Sequence, residues 1–375
     1  MPKLCKALLL LFLEMEFERM KIMKRPLSLL FAAAVLLAGC GSSDSSSEKP
    51  AETTAQSSAQ SAPADSSQAD TPKESVAGFR VEGTRLLDAN GNEFIMRGVN
   101  HAHSWYASSD YAALEGIDAT EANAVRIVLA DGEQWTRDTV DGINKLVKIC
   151  KDFEMVAVLE VHDATGRDSI DDLQKAADFW IEVKDALIGN EDTVILNIAN
   201  EWIGGWKTDT WEEGYTTVIP KLREAGIKNT IMVDAAGWGQ YAKCIEEKGM
   251  EVFDSDPDKN TMFSVHMYGT AGKNEKSIKT ALEGATKQGL CICVGEFGYK
   301  HSDGDVDEGF IMDYCDENSI GWLGWSWKGN GQGVEYLDLT LDWAGTKLTE
   351  EWGQVLVNGE KGIKATSKKC SVFAG

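Results

Sequence analysis

Eight short runs of this chain are apolar at nearly every position: Phe94–Asn100, Ala124–Ala130, Met155–Asp163, Val194–Glu201, Thr230–Gly237, Met262–Tyr268, Cys291–Gly298 and Gly321–Gly329. Most are rich in Val, Ile or Met. Such runs predict strands buried on both faces, as in a parallel sheet. Between them the apolar residues recur at helical spacing. Val140, Ile143, Leu146, Val147 and Cys150 share one face of a helix within residues 137–151. Ser169 and Asp172 have the spacing of a capping box opening a helix through Leu187. Trp211, Tyr215, Val218, Leu222 and Ala225 line a further helix, which Gly226 stops. Ahead of the first run, Phe79–Leu87 and Glu93–Val99 flank the turn 88–92 and predict a hairpin. Eight alternating units in one domain-length segment predict an α/β fold, a closed (β/α)8 TIM barrel with an N-terminal β-hairpin. An open doubly wound sheet would carry a Gly-rich phosphate turn after its first strand, and none is present.

The start of the chain has a different texture. Lys21, Lys24 and Arg25 precede the apolar run Leu27–Leu37, which is too short to span a bilayer and is followed by Ala38, Gly39 and Cys40. Residues 1–39 read as a signal peptide whose true start is Met20 or Met23. The LAGC ending resembles a bacterial lipobox. That resemblance implies cleavage before Cys40 and a lipid anchor on its sulfur, hence an extracellular, cell-surface lipoprotein. Residues 41–75 hold eleven Ser and no aromatic residue. They cannot bury enough surface to offset their ordering entropy, so 40–75 reads as a tether and 76–375 as the barrel.

Composition narrows the function. The 375 residues carry a formal net charge of −23, which repels polyphosphate and argues against nucleic acid as a partner. Twelve Trp are many for this length. Flat indoles suit sugar rings, although most Trp residues fill cores. Six Cys follow Cys40, and their pairing stays open among 15 connectivities. Cys291 and Cys293 alternate on one strand and read as small core residues.

In such barrels the active site lies at the C-terminal ends of the strands. Polar and aromatic residues collect there: His101, His103 and Trp105 after the first strand, Arg126 on the second, and His162 after the third. Asn200, Glu201 and Trp202 end the fourth, and Trp238 follows the fifth. His266 and Tyr268 belong to the sixth, Glu296 to the seventh with His301 beyond it, and Trp325 and Trp327 to the eighth. Glu201 and Glu296 at one rim are the paired carboxyls that glycoside cleavage needs. One must carry a proton for the glycosidic oxygen, and the other must be ionised to attack the anomeric carbon. Arg126 and Tyr268 beside one of them would hold it ionised. Asn200 is placed to bond a sugar 2-OH, and Trp327 to form a floor beneath the sugar.

The blocks RGVNHAHSWY, AVRIVLADGEQW, EVHD, NIANEW, VDAAGWGQY, SVHMYG, VGEFGYKHSDGDVDE and GWLGWSWKGNG resemble, in order, those of glycoside hydrolase family 5, and more narrowly its bacterial β-mannanase subfamily. The resemblance covers about residues 78–345. It implies retaining, endo-acting hydrolysis of internal β-1,4-mannosidic bonds in mannan, glucomannan or galactomannan. Glu201 would then be the acid/base and Glu296 the nucleophile, supported by Arg126, His162, Asn200, His266, Tyr268 and Trp327. The loops 203–207 and 269–274 depart from the family pattern. No cofactor and no metal is expected, and the expected partner is β-mannan, met by a monomer.

Three other readings are weaker. A metal-dependent barrel hydrolase would fit His101 and His103, but it also needs a strand-four Lys and a strand-eight Asp that are missing. A binding protein without catalysis has no need of both Glu201 and Glu296. An endo-β-1,4-glucanase of the same family differs only in how the 2-hydroxyl is read.

Overall fold

The computed structural model describes residues 78–331 and 333–374. The signal segment 1–39, the anchor Cys40 and the tether 40–75 lie outside those residues. Within them, eight parallel strands close into a barrel: β1 (Arg97–His101), β2 (Ala124–Leu129), β3 (Val156–Val161), β4 (Val194–Asn197), β5 (Ile231–Asp234), β6 (Thr261–Met267), β7 (Ile292–Phe297) and β8 (Gly321–Gly324), with β8 pairing β1. A helix follows each strand: α1 (Asp110–Asp118), α2 (Val140–Asp152), α3 (Ile170–Glu182), α4 (Thr208–Glu224), α5 (Lys243–Ser255), α6 (Glu275–Thr286), α7 (Glu308–Glu317) and α8 (Gly353–Asn358). The predicted (β/α)8 architecture is the one observed. Helix α2 starts at its cap Thr139, whose side chain accepts from Gly142 N. Ser169 caps α3 by accepting from Asp171 N, one residue nearer than a capping box requires. Gly226 ends α4 at φ +93°, a conformation that favours glycine.

The hairpin differs in detail from the expectation. The antiparallel pair is Arg80–Glu82 with Arg85–Leu87, so it turns at Gly83 and Thr84. The expected turn at 88–92 is present as a second one, closed by Asp88 N donating to Asn92 O at 2.8 Å and by a bridge between Leu87 and Glu93. The Asp88 side chain accepts from Asn90 N and Asn92 N, which stabilises that turn locally.

Every barrel strand is buried on both faces, and successive residues serve different cores. Outward residues such as Val125, Ile127, Leu159, Leu196 and Phe263 pack on the helices. Inward residues low in the barrel, among them Ala124, Val156, Ile195, Met232, Met262, Cys293 and Leu323, form a separate apolar cluster. Phe79, Leu86, Phe94, Met96 and Cys370 join that cluster and plug the N-terminal end of the barrel. All six Cys among the described residues are free and buried, with Cys291 and Cys293 in this inner cluster.

One irregularity decides where the chemistry sits. Val265 pairs with Val294, but His266 pairs with Glu296, so Gly295 is an extra residue in β7. A bulge of this kind re-phases a strand. Val294 and Phe297 both belong to the outer core, while Glu296 reaches Arg126 inside the barrel. A Cβ at position 295 would stand 2.2 Å from Ser264 Oγ, so glycine is the residue that fits there.

Candidate active site

Above the apolar layer, the same strands carry polar side chains: Asn100, Arg126, Glu160, Asn197, Asp234, His266 and Glu296, all buried. Arg126 is the hub. Its Nη1 donates to Glu296 Oε1 at 2.8 Å and to Asn100 Oδ1 at 3.0 Å. Its Nε donates to Asn197 Oδ1 at 2.9 Å, and its Nη2 to Asn200 Oδ1 at 2.7 Å. Glu160 and Asp234 face the same guanidinium at 3.8 and 3.4 Å. A buried arginine surrounded this way has its donors satisfied and its charge opposed, which burial demands. Burial alone would weaken its hold on the proton, but Glu160, Asp234 and Glu296 outweigh that and raise its pKa.

Glu296 takes a second hydrogen bond, from Tyr268 Oη to Oε2 at 2.9 Å. Two donors on two oxygens are the partners of an ionised carboxylate. Burial pushes its pKa above the usual carboxylate value, and the charge of Glu201 adds to that push. The cations of His266 and Arg126 pull the other way. His266 Nδ1 bonds Glu201 Oε1 at 2.7 Å and faces Glu296 Oε2 at 3.6 Å, while its Nε2 faces Asp234 at 3.5 Å. Burial opposes its charge, yet Glu296 and Asp234 lift its pKa to about 10, so it is a cation between the two carboxyls. Asp234 also accepts from Glu201 N at 3.1 Å. Burial would raise its pKa, but His266 and Arg126 hold it well below the usual carboxylate range.

Ligand atoms of Glu201, His266 and Glu296 lie within 4.8 Å of one another. Carboxyls this close suit a retaining glycosidase, which needs them roughly 5–5.5 Å apart, and leave no room for the water of an inverting one. The same three residues have the ligand types for a metal ion. Arg126 beside them supplies positive charge, and the raised pKa of His266 favours a proton on its ring nitrogens; both oppose binding a metal ion.

The predicted residues separate into two groups. Trp105, His162, Asn200, Glu201, Trp238, Tyr268, Glu296 and Trp325 line an open cleft, and Arg126 and His266 lie directly beneath it. Asn200 donates to Thr165 Oγ1 at 3.0 Å, and His162 Nδ1 bonds Glu160 at 2.9 Å. His101 and His103 turn away and bond Asp110, the latter also Asp138. Trp202 and Trp327, expected at the sugar, are sealed in the outer core. Trp202 donates to Ser169 O and packs edge-on against Tyr215, while Trp327 donates to Trp343 O. Trp325 presents the partly open indole in place of Trp327.

The cleft has two hollows, of about 480 and 780 Å³, which share His301, Ser302 and Trp325. The first holds both carboxyls with Trp206 and Trp238, and the second holds Trp105, Tyr106 and Trp135. Sequence reasoning missed Trp135, Trp206, Glu160 and the network role of Asp234. The last two had a signal, because an acidic residue inside an apolar strand run is costly unless paired.

A family model described as cellulase (glycosyl hydrolase family 5) matches residues 87–331. The mannan endo-1,4-beta-mannosidase of Salipaludibacillus agaradhaerens is 53% identical over 297 residues, covering 79% of this chain and 96% of that protein. A mannotriose complex of the Thermomonospora fusca beta-mannanase superposes with a TM-score of 0.74 at 38% identity, covering 79% of this chain and 99% of that one. An endoglucanase A of Butyrivibrio fibrisolvens is 28% identical over 239 residues, covering 60% of this chain and 53% of that protein.

Proposed function

The chain belongs to glycoside hydrolase family 5, and from that premise we infer that it is an endo-acting β-mannanase working with retention of configuration. The observation that carries this reading is the pair Glu201 and Glu296 bridged by His266 in an open cleft. The mannanase of Salipaludibacillus agaradhaerens is similar over nearly its whole length, whereas the endoglucanase likeness is distant.

Glu296 acts as the nucleophile. One of its oxygens attacks the anomeric carbon while Glu201 gives its proton to the leaving oxygen, and the glycosidic bond breaks. Arg126 and Tyr268 hold Glu296 at a fixed position and orientation throughout. Esterification removes the charge of Glu296, and the proton given to the leaving group leaves Glu201 ionised. Glu201 then takes a proton from water, whose oxygen attacks the same carbon and releases Glu296 as a carboxylate. Asn200 is held by Arg126 and Thr165 with its amide toward the cleft, a placement suited to a sugar hydroxyl.

Purified protein should release new reducing ends from mannan faster than from cellulose. Proton NMR of the first product should show the β-anomer. Faster cellulose hydrolysis would make the chain a glucanase, and an initial α-anomer would sink the retaining mechanism. Cys40 is read as the lipid anchor of a surface lipoprotein, on the LAGC sequence. Cells fed labelled fatty acid should label the protein, and Cys40→Ser should lose both the label and membrane association.

A further inference from the structure

His103 lies away from the carboxyls and takes no part in the chemistry above, yet it is among the most tightly bonded side chains near the cleft. Its Nδ1 bonds both oxygens of Asp110, at 2.9 and 2.8 Å, where α1 begins. Its Nε2 bonds Asp138 Oδ1 at 3.0 Å, in the loop after β2. Asp138 in turn closes that loop on itself: its Oδ2 accepts from Ala130 N at 2.9 Å, and its own N–H donates to Ala130 O at 2.9 Å. Asp163, at the end of β3, holds the same loop from the other side through Asp131 N and Gln134 N.

Each of the two loops carries an indole. Trp105 follows His103 by two residues, and Trp135 precedes Asp138 by three. Their rings meet edge-on with centroids 5.3 Å apart, and each also packs on His162, at 5.1 and 5.7 Å. Both indoles line the larger hollow, whose walls include neither Glu201 nor Glu296. A sugar on that wall sits outside the hollow that holds the two carboxyls, next to it across His162 and Trp325.

We propose that His103 is a positioning residue for substrate binding, tying the loops after β1 and β2 together so that Trp105 and Trp135 present one aromatic wall to sugar units outside the carboxyl hollow. This rests on the mannanase reading above. Binding energy from those units is realised only if the wall is already in place when the chain arrives. The tie is an ion pair as well as a hydrogen-bond bridge. The titratable groups facing His103 are Asp110, Asp138 and His101, and the first two dominate. Burial works against its charge, but the two carboxylates raise its pKa to about 9.

The test compares kinetics on mannohexaose and mannotriose in His103→Gln and Asp138→Asn proteins; the latter leaves the pair with Asp110 intact. KM for mannohexaose should rise about tenfold, kcat should change much less, and the loss on mannotriose should be clearly smaller. The near-UV circular dichroism of the Trp105–Trp135 pair should weaken in parallel. In wild-type protein, KM for mannohexaose should stay level to about pH 9 and climb above it, and Asp138→Asn should move that climb to lower pH. An equal loss on both oligosaccharides, no loss on either, or an unmoved climb would each overturn the proposal. Wild-type protein that leaves mannan intact would instead overturn the mannanase reading.

Discussion

The inner face of the barrel has a lower and an upper layer, two residues apart on β2, β3, β4 and β5. Ala124 lies below Arg126, Val158 below Glu160, Ile195 below Asn197, and Met232 below Asp234. Both layers are buried. The lower one is held by contact alone, so a lost methylene costs transfer energy and a cavity and nothing else. The upper one is held by directed bonds between opposite charges, so losing one member leaves the others buried and unopposed. Depth of burial is thus a poor guide to what a position tolerates here. What matters is whether its neighbours carry charge.

Four substitutions probe that contrast, in decreasing order of effect. Glu296→Ala should cut mannan turnover by about 10⁴-fold or more and lower the melting temperature without preventing folding, since Tyr268 loses its partner while Arg126 keeps four others. Substantial residual turnover in a folded protein would remove Glu296 as nucleophile. Arg126→Met should cost about 3–5 kcal/mol and abolish activity together, because Glu160, Asp234 and Glu296 are left without their cation. Met232→Ala, one layer down, should cost a comparable 2–5 kcal/mol, roughly, while leaving turnover per folded molecule near wild type. Equal loss of activity in both would erase the distinction. Gly295→Ala should reduce kcat by about 10²-fold, since its methyl must displace Ser264 and shift Glu296 by a fraction of an ångström.

A further test lies in pH. The folded-state pKa of His266 is raised to about 10 and that of His103 to about 9, both above the ordinary 6.5. Their contribution to stability is complete below pH 6.5 and is lost as pH rises through 9 and 10. Urea midpoints should therefore decline across that window, and His103→Gln should flatten the lower part of the decline. A midpoint that stays level to pH 10.5 would contradict these assignments.

Much of this was legible in the residues. The eight apolar runs marked all eight strands, because a strand buried on both faces needs no partner to be recognised. Glu201 and Glu296 stood out by ending such runs. The rest depended on contacts between distant parts of the chain. Gly295 looks like any other strand glycine, and its role appears only when β7 is laid against β6. Trp325 and Trp327 differ by an even step along the chain, yet one lines the cleft and the other fills the core. Beyond Gly324 the ladder ends and strand alternation no longer governs. The histidines showed the same limit. Five sit near strand ends, but the carboxylates that claim His101 and His103 come from α1 and the loop after β2, which spacing along β1 cannot reveal.

Glu201 adopts a φ of +42°, a left-handed backbone that suits glycine and asparagine far better than glutamate. Usefulness and comfort therefore pull against each other at that one position. Glu201→Gly should yield a catalytically crippled protein in which relief of the backbone offsets part of the stability lost with the bond to His266. The demand for mannan cleavage keeps the less restful residue in place.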